Sequence, residues 1–361
     1  MGKSAVKGLF YICLIAATFV LATITIVAAF SGNMAPVDSV IMPLLGLAVP
    51  VLLIANLITA LCWALARKRW ALVPLVAFFC NWGYLTSVFQ LHLPKDKTPA
   101  GKYLKIATYN IHNFGGEITG YSCKEIARYM QQEGVDVLCF QEFGDSSDFP
   151  TDSIRRVLSH WSHALIPSED SVKGVLPIAV FSRYPLANHR FITYQHSSNC
   201  SMMCDVVMGT DTIRLINNHL QTTSVSQKRR KWERELATDD TRREVQAAKD
   251  AAGTLHENFM KRATQTYVIS HYAKTSPYPV LLCGDFNSIP SSYTYHHLRK
   301  TLKDGFRTAG NGYMYTYRYA KRMLRIDYIF HSPSLKGIEY YSPDLDLCSD
   351  HNPVIMEVEI Q

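Results

Sequence analysis

The chain has 361 residues, a formal net charge of +7 and nine cysteines. Its first ~95 residues carry almost no charge, which excludes a single ordinary water-soluble domain. Before Thr98 the charged residues are Lys3, Lys7, Arg67, Lys68, Arg69, Lys95 and Lys97 against Asp38 and Asp96, and the remainder is nearly neutral, so global charge gives no argument for a nucleic-acid partner.

Three stretches, Leu9–Phe30, Val40–Ala66 and Trp70–Leu91, contain no Asp, Glu, Lys or Arg. Each reaches the ~20 residues needed to cross a bilayer, and none has the polar stripe of a buried core helix. Pro43 and Pro50 kink or shorten the second without excluding it. The first is too long for a signal peptide and is followed by two more. The expectation is a membrane anchor over 1–97 with three transmembrane helices, then a second domain over 98–361. Lys3 and Lys7 precede the first span and Arg67-Lys68-Arg69 separates the second from the third. The positive-inside rule then puts the N-terminus in the cytoplasm and the second domain on the extracytoplasmic side, with Lys95 and Lys97 weighing mildly against it. The spans hold no internal ionisable residue, which favours an anchor over a transporter.

The cysteines form no framework. Cys139 and Cys283 lie in apolar strand-like runs, where free cysteine acts as a small hydrophobe. Cys200 and Cys204 are too far apart to bridge if extended, and no zinc spacing occurs.

Past the polar linker Pro94–Gly101, Tyr103–Asn110 alternates as a strand and ends on Asn110, followed by His112, Asn113 and a Gly115-Gly116 turn. Cys123–Glu133 has helical spacing and closes at Gly134. Val135–Glu142 is a buried strand ending on a carboxylate. Ser153–Ser159 reads as a helix and Val175–Phe181 as a strand. Cys204–Met208 and Thr212–Asn217 form a hairpin about Gly209-Thr-Asp211, and the second strand runs out through Asn217-Asn218-His219-Leu220-Gln221. A long polar helical region, roughly Gln227–Ala273, follows. Its Lys228–Lys231 run fits a solvated helix face, with a phosphate or membrane contact as the alternative. The tyrosines at 313, 315, 317 and 319 have strand spacing, for stacking on a base or sugar or for packing against the long helix.

Val280-Leu-Leu-Cys-Gly-Asp-Phe-Asn287 is a buried strand that pushes Asp285 and Asn287 out on one side and turns Phe286 the other way. A carboxylate that accepts a proton from water, beside a carboxamide that donates to a phosphoryl oxygen, suits phosphate chemistry. The same four residues would also make a plain Asx-type turn. Leu324–Phe330 carries Asp327, for which a salt bridge to Arg325 is the structural alternative. Ser349-Asp350-His351-Asn352-Pro353 precedes the final strand, Val354–Ile360. Functional side chains at strand ends along the whole domain imply a layered α/β sandwich with its site along one edge.

In order, Asn110, Glu142, His219, Asp285 with Asn287, Asp327 and Asp350-His351 resemble the endonuclease/exonuclease/phosphatase (deoxyribonuclease I-like) superfamily, from about Leu104 to Ile360. The resemblance implies a four-layer α/β sandwich of two packed mixed sheets flanked by helices. It also implies in-line attack of water on a phosphoester with no covalent intermediate. It makes Glu142, helped by Asn110, the ligand set for Mg²⁺ (Mn²⁺ as the alternative), with Asp350 at a second metal or fixing the His351 loop. His351 would stand by the scissile phosphate, oriented by Asp327. Asp285 would align or deprotonate the water, Asn287 would hold the phosphate, and His219 would be the second histidine of the nuclease and sphingomyelinase branches. No carboxylate for His219 is evident; Glu169 and Asp170 are the candidates. Asn217-Asn218-His219-Leu220 departs from the usual Asn-Thr-His-Leu, and the Gln227–Ala273 segment is longer than usual.

The expectation is a membrane-anchored, Mg²⁺-dependent phosphodiesterase acting on nucleic acid or a phospholipid headgroup, with no protein partner inferable. The alternatives are a phosphomonoesterase of the inositol phosphate type and a non-catalytic binding protein on the same fold. The latter would be expected to have lost metal or histidine positions, all of which this chain has.

Overall fold

The computed structural model describes residues 3–93, 97, 101–168, 174–223 and 241–360. Glu169, Asp170 and the Lys228–Lys231 run lie outside these residues. The chain divides into two compact units: Met1–Ser87 with Ile289–His296, and Val88–Ser288 with His297–Gln361.

In the first unit the helices Lys3–Ala28 and Ile41–Leu65 are each long and apolar enough to cross a membrane. The second runs unbroken through Pro50. The third apolar stretch is not one straight helix. Arg69–Cys80 and Trp82–Val88 meet at Asn81 with a bend of 63°, so the count is two spans, or three if the bent pair is one. Asn81 is buried, and its amide donates to Ala77 O and to Thr25 O, each at 3.1 Å. Asn56 donates to Thr25 Oγ1 at 2.7 Å and Trp63 to Thr18 Oγ1 at 2.9 Å. Such bonds hold helices together where apolar contact with lipid gives no preference for a partner. Ile289–His296 belongs to this unit through Ser291, which donates to Gly46 O at 2.7 Å and accepts from Ser31 Oγ at 2.9 Å.

The second unit holds β1 (Phe89–Gln90), β2 (Lys102–Asn110), β3 (Val137–Gln141), β4 (His163–Leu165), β5 (Ile178–Ser182), β6 (Leu186–Thr193), β7 (Cys200–Met208), β8 (Asp211–His219), β9 (Val280–Asp285), β10 (Lys303–Asp304), β11 (Gly312–Tyr313), β12 (Asp327–His331), β13 (Leu335–Tyr341) and β14 (Val354–Ile360). β1 and β11 pair as a short ribbon. The others form two six-stranded mixed sheets, ordered β13-β14-β2-β3-β5-β4 and β10-β12-β9-β8-β7-β6. The pairs β2–β3 and β8–β9 are parallel. A parallel pair needs a long crossover, which the helices Tyr121–Gln132 and Thr241–Lys274 supply. This is the four-layer α/β sandwich expected from the sequence.

Strand alternation sorts the two apolar layers. Leu104, Ile106, Val137, Cys139, Leu215, Leu281, Cys283 and Ile329 fill the space between the sheets. The opposite face of the first sheet, with Ala107, Tyr109, Leu138 and Phe140, packs on Ile126, Met130 and Ile154. Phe286 turns away from its neighbours Asp285 and Asn287, as alternation requires, and its ring meets Tyr328 and Phe330 at 5.5 and 5.6 Å. Gly284 has φ +132°, and a Cβ there would lie 1.9 Å from Asn218 O, so only glycine lets β9 approach β8 this closely.

Three features differ from the sequence reading. Residues 313–319 do not form one strand: strand pairing stops after Tyr313 and resumes at Tyr317 as two isolated bridges, to Leu324 and to His351. The tyrosine rings meet along that stretch, 313 with 315 and 317 with 319. β1, β4, β6, β10 and β13 went unpredicted, since β1, β4 and β10 are short and β1 falls in the stretch expected to be the third span, β6 is a largely exposed edge strand carrying Asn188, His189 and Arg190, and β13 is interrupted by a register shift between Gly337 and Glu339. Arg325 does not pair with Asp327. It makes two bonds to Asp304, at 2.6 and 2.7 Å, with both side chains fully buried.

Losing one partner of such a pair strands the other charge in the core. Arg325→Leu is therefore expected to destabilise the second unit by about 3–5 kcal/mol, measured by denaturant unfolding of the detergent-solubilised chain. A loss below about 1 kcal/mol would show that the pair exchanges with water.

Candidate active site

The site is the place where the inter-sheet layer turns from apolar to polar at one end of the strands. On β2 the inward row runs Leu104, Ile106, Thr108, Asn110; on β8 it runs Ile213, Leu215, Asn217, His219; on β9 it runs Leu281, Cys283, Asp285. The first polar rung joins the sheets: Gln141 donates to Thr108 Oγ1 at 2.9 Å and to Asn217 Oδ1 at 2.6 Å, and Asn217 donates to Phe140 O at 3.1 Å. Beyond it, His219, Asp285 and Asp327 are direct cross-strand neighbours in one register row over β8, β9 and β12.

The predicted residues converge here. Asn110 turns its amide NH₂ to Glu142 Oε1 at 3.2 Å and Asp285 Oδ2 at 3.1 Å, while its Oδ1 accepts from the His112 N–H at 3.2 Å. Asp285 accepts from the Asn287 N–H at 2.8 Å. That closes an Asx-type turn, so the structural and the functional readings of Gly-Asp-Phe-Asn coexist. The Asn287 amide donates to Leu220 O at 3.1 Å and to Asp285 Oδ2 at 3.2 Å; to hold a phosphate it must exchange one of these bonds. His351 Nδ1 lies 3.0 and 3.1 Å from the two Asp327 oxygens. Its Nε2 faces Asp285 Oδ2 at 3.8 Å and Asp350 Oδ1 at 3.9 Å. Asp350 sits on the rim, a third exposed.

Ser349, from the same motif, was not singled out from sequence. It donates to Asn110 O at 2.5 Å and accepts from the His351 N–H at 3.0 Å, tying the last loop to the end of β2. Thr316 likewise accepts from the Ile326 and Asp327 N–H groups. Arg262, from the long helix, is buried and donates to Gln221 O at 2.7 Å; Gln265 accepts from the Gln221 N–H at 2.8 Å. Together they fix the chain just past His219. Their only sequence signal was an arginine and a glutamine one helical turn apart. The Tyr317 ring lies 5.3 Å from His351.

The two histidines are set in opposite states. Burial holds His219 below its ordinary range, and Asp285 and Glu142 only partly oppose that, so it is neutral. Its Nε2 lies 3.7 Å from both Glu142 Oε1 and Asp285 Oδ2, beyond hydrogen-bond distance of either; Glu169 and Asp170 lie outside the described residues. Both ring nitrogens are buried without a hydrogen bond. Burial also works against a charged His351, but Asp327, Asp285 and Asp350 outweigh it and carry the group up to about 10. Burial raises Asp327 to about 6 despite His351. Between those values the pair stands as carboxylate and imidazolium. The His351 contribution to stability is therefore present at pH 6.5, its ordinary value, while Asp327 stays ionised, and is lost as pH rises through about 10.

Asp285, Asp327 and His351 offer ligand atoms within 4.8 Å of one another. The Asp327–His351 bond makes them an ion pair first, because an imidazolium has no lone pair to give. Glu142 is the better carboxylate for a cation. Among the described residues neither it nor Asp285 pairs with Lys or Arg, and the unpartnered Nε2 of His219 lies 3.7 Å from each. This donor set fits a divalent cation. Glu142 and Asn287 also have φ +49° and +48°, a left-handed conformation that glutamate rarely adopts.

Comparison with known proteins bears on the family and the fold. The Endonuclease/Exonuclease/phosphatase family matches residues 107–351, and a Domain of unknown function (DUF8431) matches residues 9–88. Among curated proteins there is no match. Solved structures of similar fold include an endonuclease/exonuclease/phosphatase from Beutenbergia cavernae DSM 12333, at 17% identity and TM-score 0.52 over 72% of each chain. TDP2 from C. elegans has 16% identity and TM-score 0.51, over 72% of this chain and 75% of that one. The endonuclease/exonuclease/phosphatase from Bacteroides vulgatus has 16% and 0.51, over 72% and 100%. At these identities the likeness is one of fold.

Removing the Asp327 charge leaves burial to act on His351 alone. Asp327→Asn is expected to lower the His351 titration by about 1–3 pH units, read by NMR on histidine-labelled full-length chain. An unmoved titration would show that another group holds the proton.

Proposed function

Because the chain belongs to the endonuclease/exonuclease/phosphatase family, we propose that it is a membrane-anchored, metal-dependent phosphodiesterase acting on nucleic acid or a lipid headgroup. The observation that carries this reading is the register row His219–Asp285–Asp327, with His351 charged on Asp327 and Glu142 facing His219.

Each residue's part follows from its surroundings. Asp285, held by Asn110 and Asn287, aligns the attacking water and takes its proton. The His351 imidazolium donates to a phosphoryl oxygen as charge builds there, and Asp327 keeps it protonated and oriented. Neutral His219 gives a second hydrogen bond to the phosphate, and Asn287 joins it by releasing Leu220 O. Glu142 would hold Mg²⁺, with Asn110 steadying the carboxylate and Asp350 at the rim. When bound, the cation neutralises phosphoryl and leaving-group oxygens. Because Asp285 activates water directly, the reaction is written as a single in-line displacement with no covalent intermediate.

For the first unit we propose three crossings, counting the bent pair as one. Lys3, Lys7 and Arg67–Arg69 would face the cytoplasm and the catalytic unit the other side. A bilayer tether favours a substrate at or near the membrane surface.

The test uses the full-length chain in detergent, because Ile289–His296 belongs to the helical unit. Bis(p-nitrophenyl) phosphate should be hydrolysed with Mg²⁺ and not with EDTA. Glu142→Gln and His351→Ala should each lower turnover by at least about 100-fold. Turnover of p-nitrophenyl phosphate but not of the diester would replace this reading with a monoesterase. No turnover of either would point to a binding protein.

A further inference from the structure

The turn after β2 is strained for a purpose that the roles above leave unassigned. His112, Asn113, Phe114, Gly115 and Gly116 lie in succession in the left-handed region, with φ of +46°, +51°, +53°, +72° and +66°. Three of them carry a side chain, and in each the Cβ crowds the following carbonyl oxygen, so L-residues seldom visit this region more than singly. The surrounding contacts hold the turn in place. Phe114 is buried against Phe140 and Phe143, with ring centroids at 6.1 and 6.0 Å. The Asn113 N–H donates to Glu142 O at 2.7 Å, and the His112 N–H donates to Asn110 Oδ1.

What this arrangement delivers is the His112 ring. It is mostly exposed and lines an open pocket with Asp350, Ser349, Tyr319 and Arg318, so packing does not account for its placement. Its Nδ1 lies 3.1 Å from Glu142 Oε2. The other oxygen of Glu142 faces His219, so this carboxylate stands between two imidazoles.

The spacing and the donor type point the same way. Neighbouring ligands on a six-coordinate cation with bonds of about 2.1 Å are about 3 Å apart. An all-oxygen site suits Mg²⁺, whereas an imidazole beside a carboxylate suits first-row transition ions. We propose that His112 is a metal ligand alongside Glu142, giving a mixed nitrogen–oxygen centre that takes Mn²⁺ in preference to Mg²⁺. This rests on the reading of Glu142 as the carboxylate that holds the cation. To bind through Nδ1, His112 must be in the tautomer that leaves that nitrogen a lone pair. The exposed ring allows the neutral tautomer protonated at Nε2 to form through solvent.

The test is metal binding by the full-length chain in detergent without substrate, using Mn²⁺ and Mg²⁺ alone. Calorimetric competition should show Mn²⁺ binding at least about tenfold tighter than Mg²⁺, and pulsed EPR of bound Mn²⁺ should show imidazole ¹⁴N coupling. His112→Asn keeps a residue that tolerates the left-handed turn but offers no imidazole. It should weaken Mn²⁺ by about 10–100-fold, leave Mg²⁺ within about threefold, and remove the His112 share of the ¹⁴N signal. The proposal is overturned if Mn²⁺ affinity and ¹⁴N coupling are unchanged in His112→Asn. It is equally overturned if the coupling disappears only in His219→Gln, which would make His219 the nitrogen ligand. Binding lost in Glu142→Gln but indifferent to His112→Asn overturns this inference and leaves the metal-dependent reading standing. No binding of either ion to the wild type overturns both.

Discussion

The constraint on which the structure depends is the register between β8, β9 and β12. A strand's side chains alternate with a period of two, so a slip of one residue would turn His219, Asp285 or Asp327 from the inter-sheet seam to the helix-covered face. Gly284 enforces that register sterically, because only a residue without Cβ lets β9 lie so close to Asn218. The same alternation buries Phe286 on the far face, so packing energy on one side of β9 sets the position of a carboxylate on the other.

The seam is also graded. It passes from aliphatic side chains through a hydrogen-bonded rung of Thr108, Gln141 and Asn217 to a rung of titratable groups. The middle rung matters electrostatically. It ends the apolar core with neutral dipoles whose bonds are nearly all internal, and the titratable rung beyond it is itself buried. Burial acts on both histidines; it depresses His219, whose ring has no hydrogen bond, while the bonded Asp327 and the neighbouring carboxylates raise His351.

Much of this could be read in the sequence, for an identifiable reason. Apolar runs ending on Asn110, Glu142, His219 and Asp285 carry their own parity, and parity is local information. What was hidden depends on pairings distant in sequence. Arg325 pairs with Asp304, 21 residues away in sequence, and not with its near neighbour Asp327, a pairing that no local pattern signals. His219 comes to lie beside Glu142 and Asp285, which no local pattern links to it. The bend at Asn81 was hidden because an apolar count does not register one amide that takes over the bonding of a helix turn. The left-handed turn at His112 had only the glycine pair behind it as a sign.

The helical unit is discontinuous, and this bears on how the molecule comes apart. Ile289–His296 enters it immediately after the segment that ends at Ser288, and Ser291 is bonded to both Ser31 and Gly46. The polypeptide therefore passes from one unit to the other three times. Melting of the helices releases a strip tied covalently, two residues away, to Asn287, and the unfolding of one unit is not thermodynamically independent of the other. A heat-capacity scan of the intact chain is then a record of coupled transitions, whose separation depends on the detergent or lipid that supports the helices.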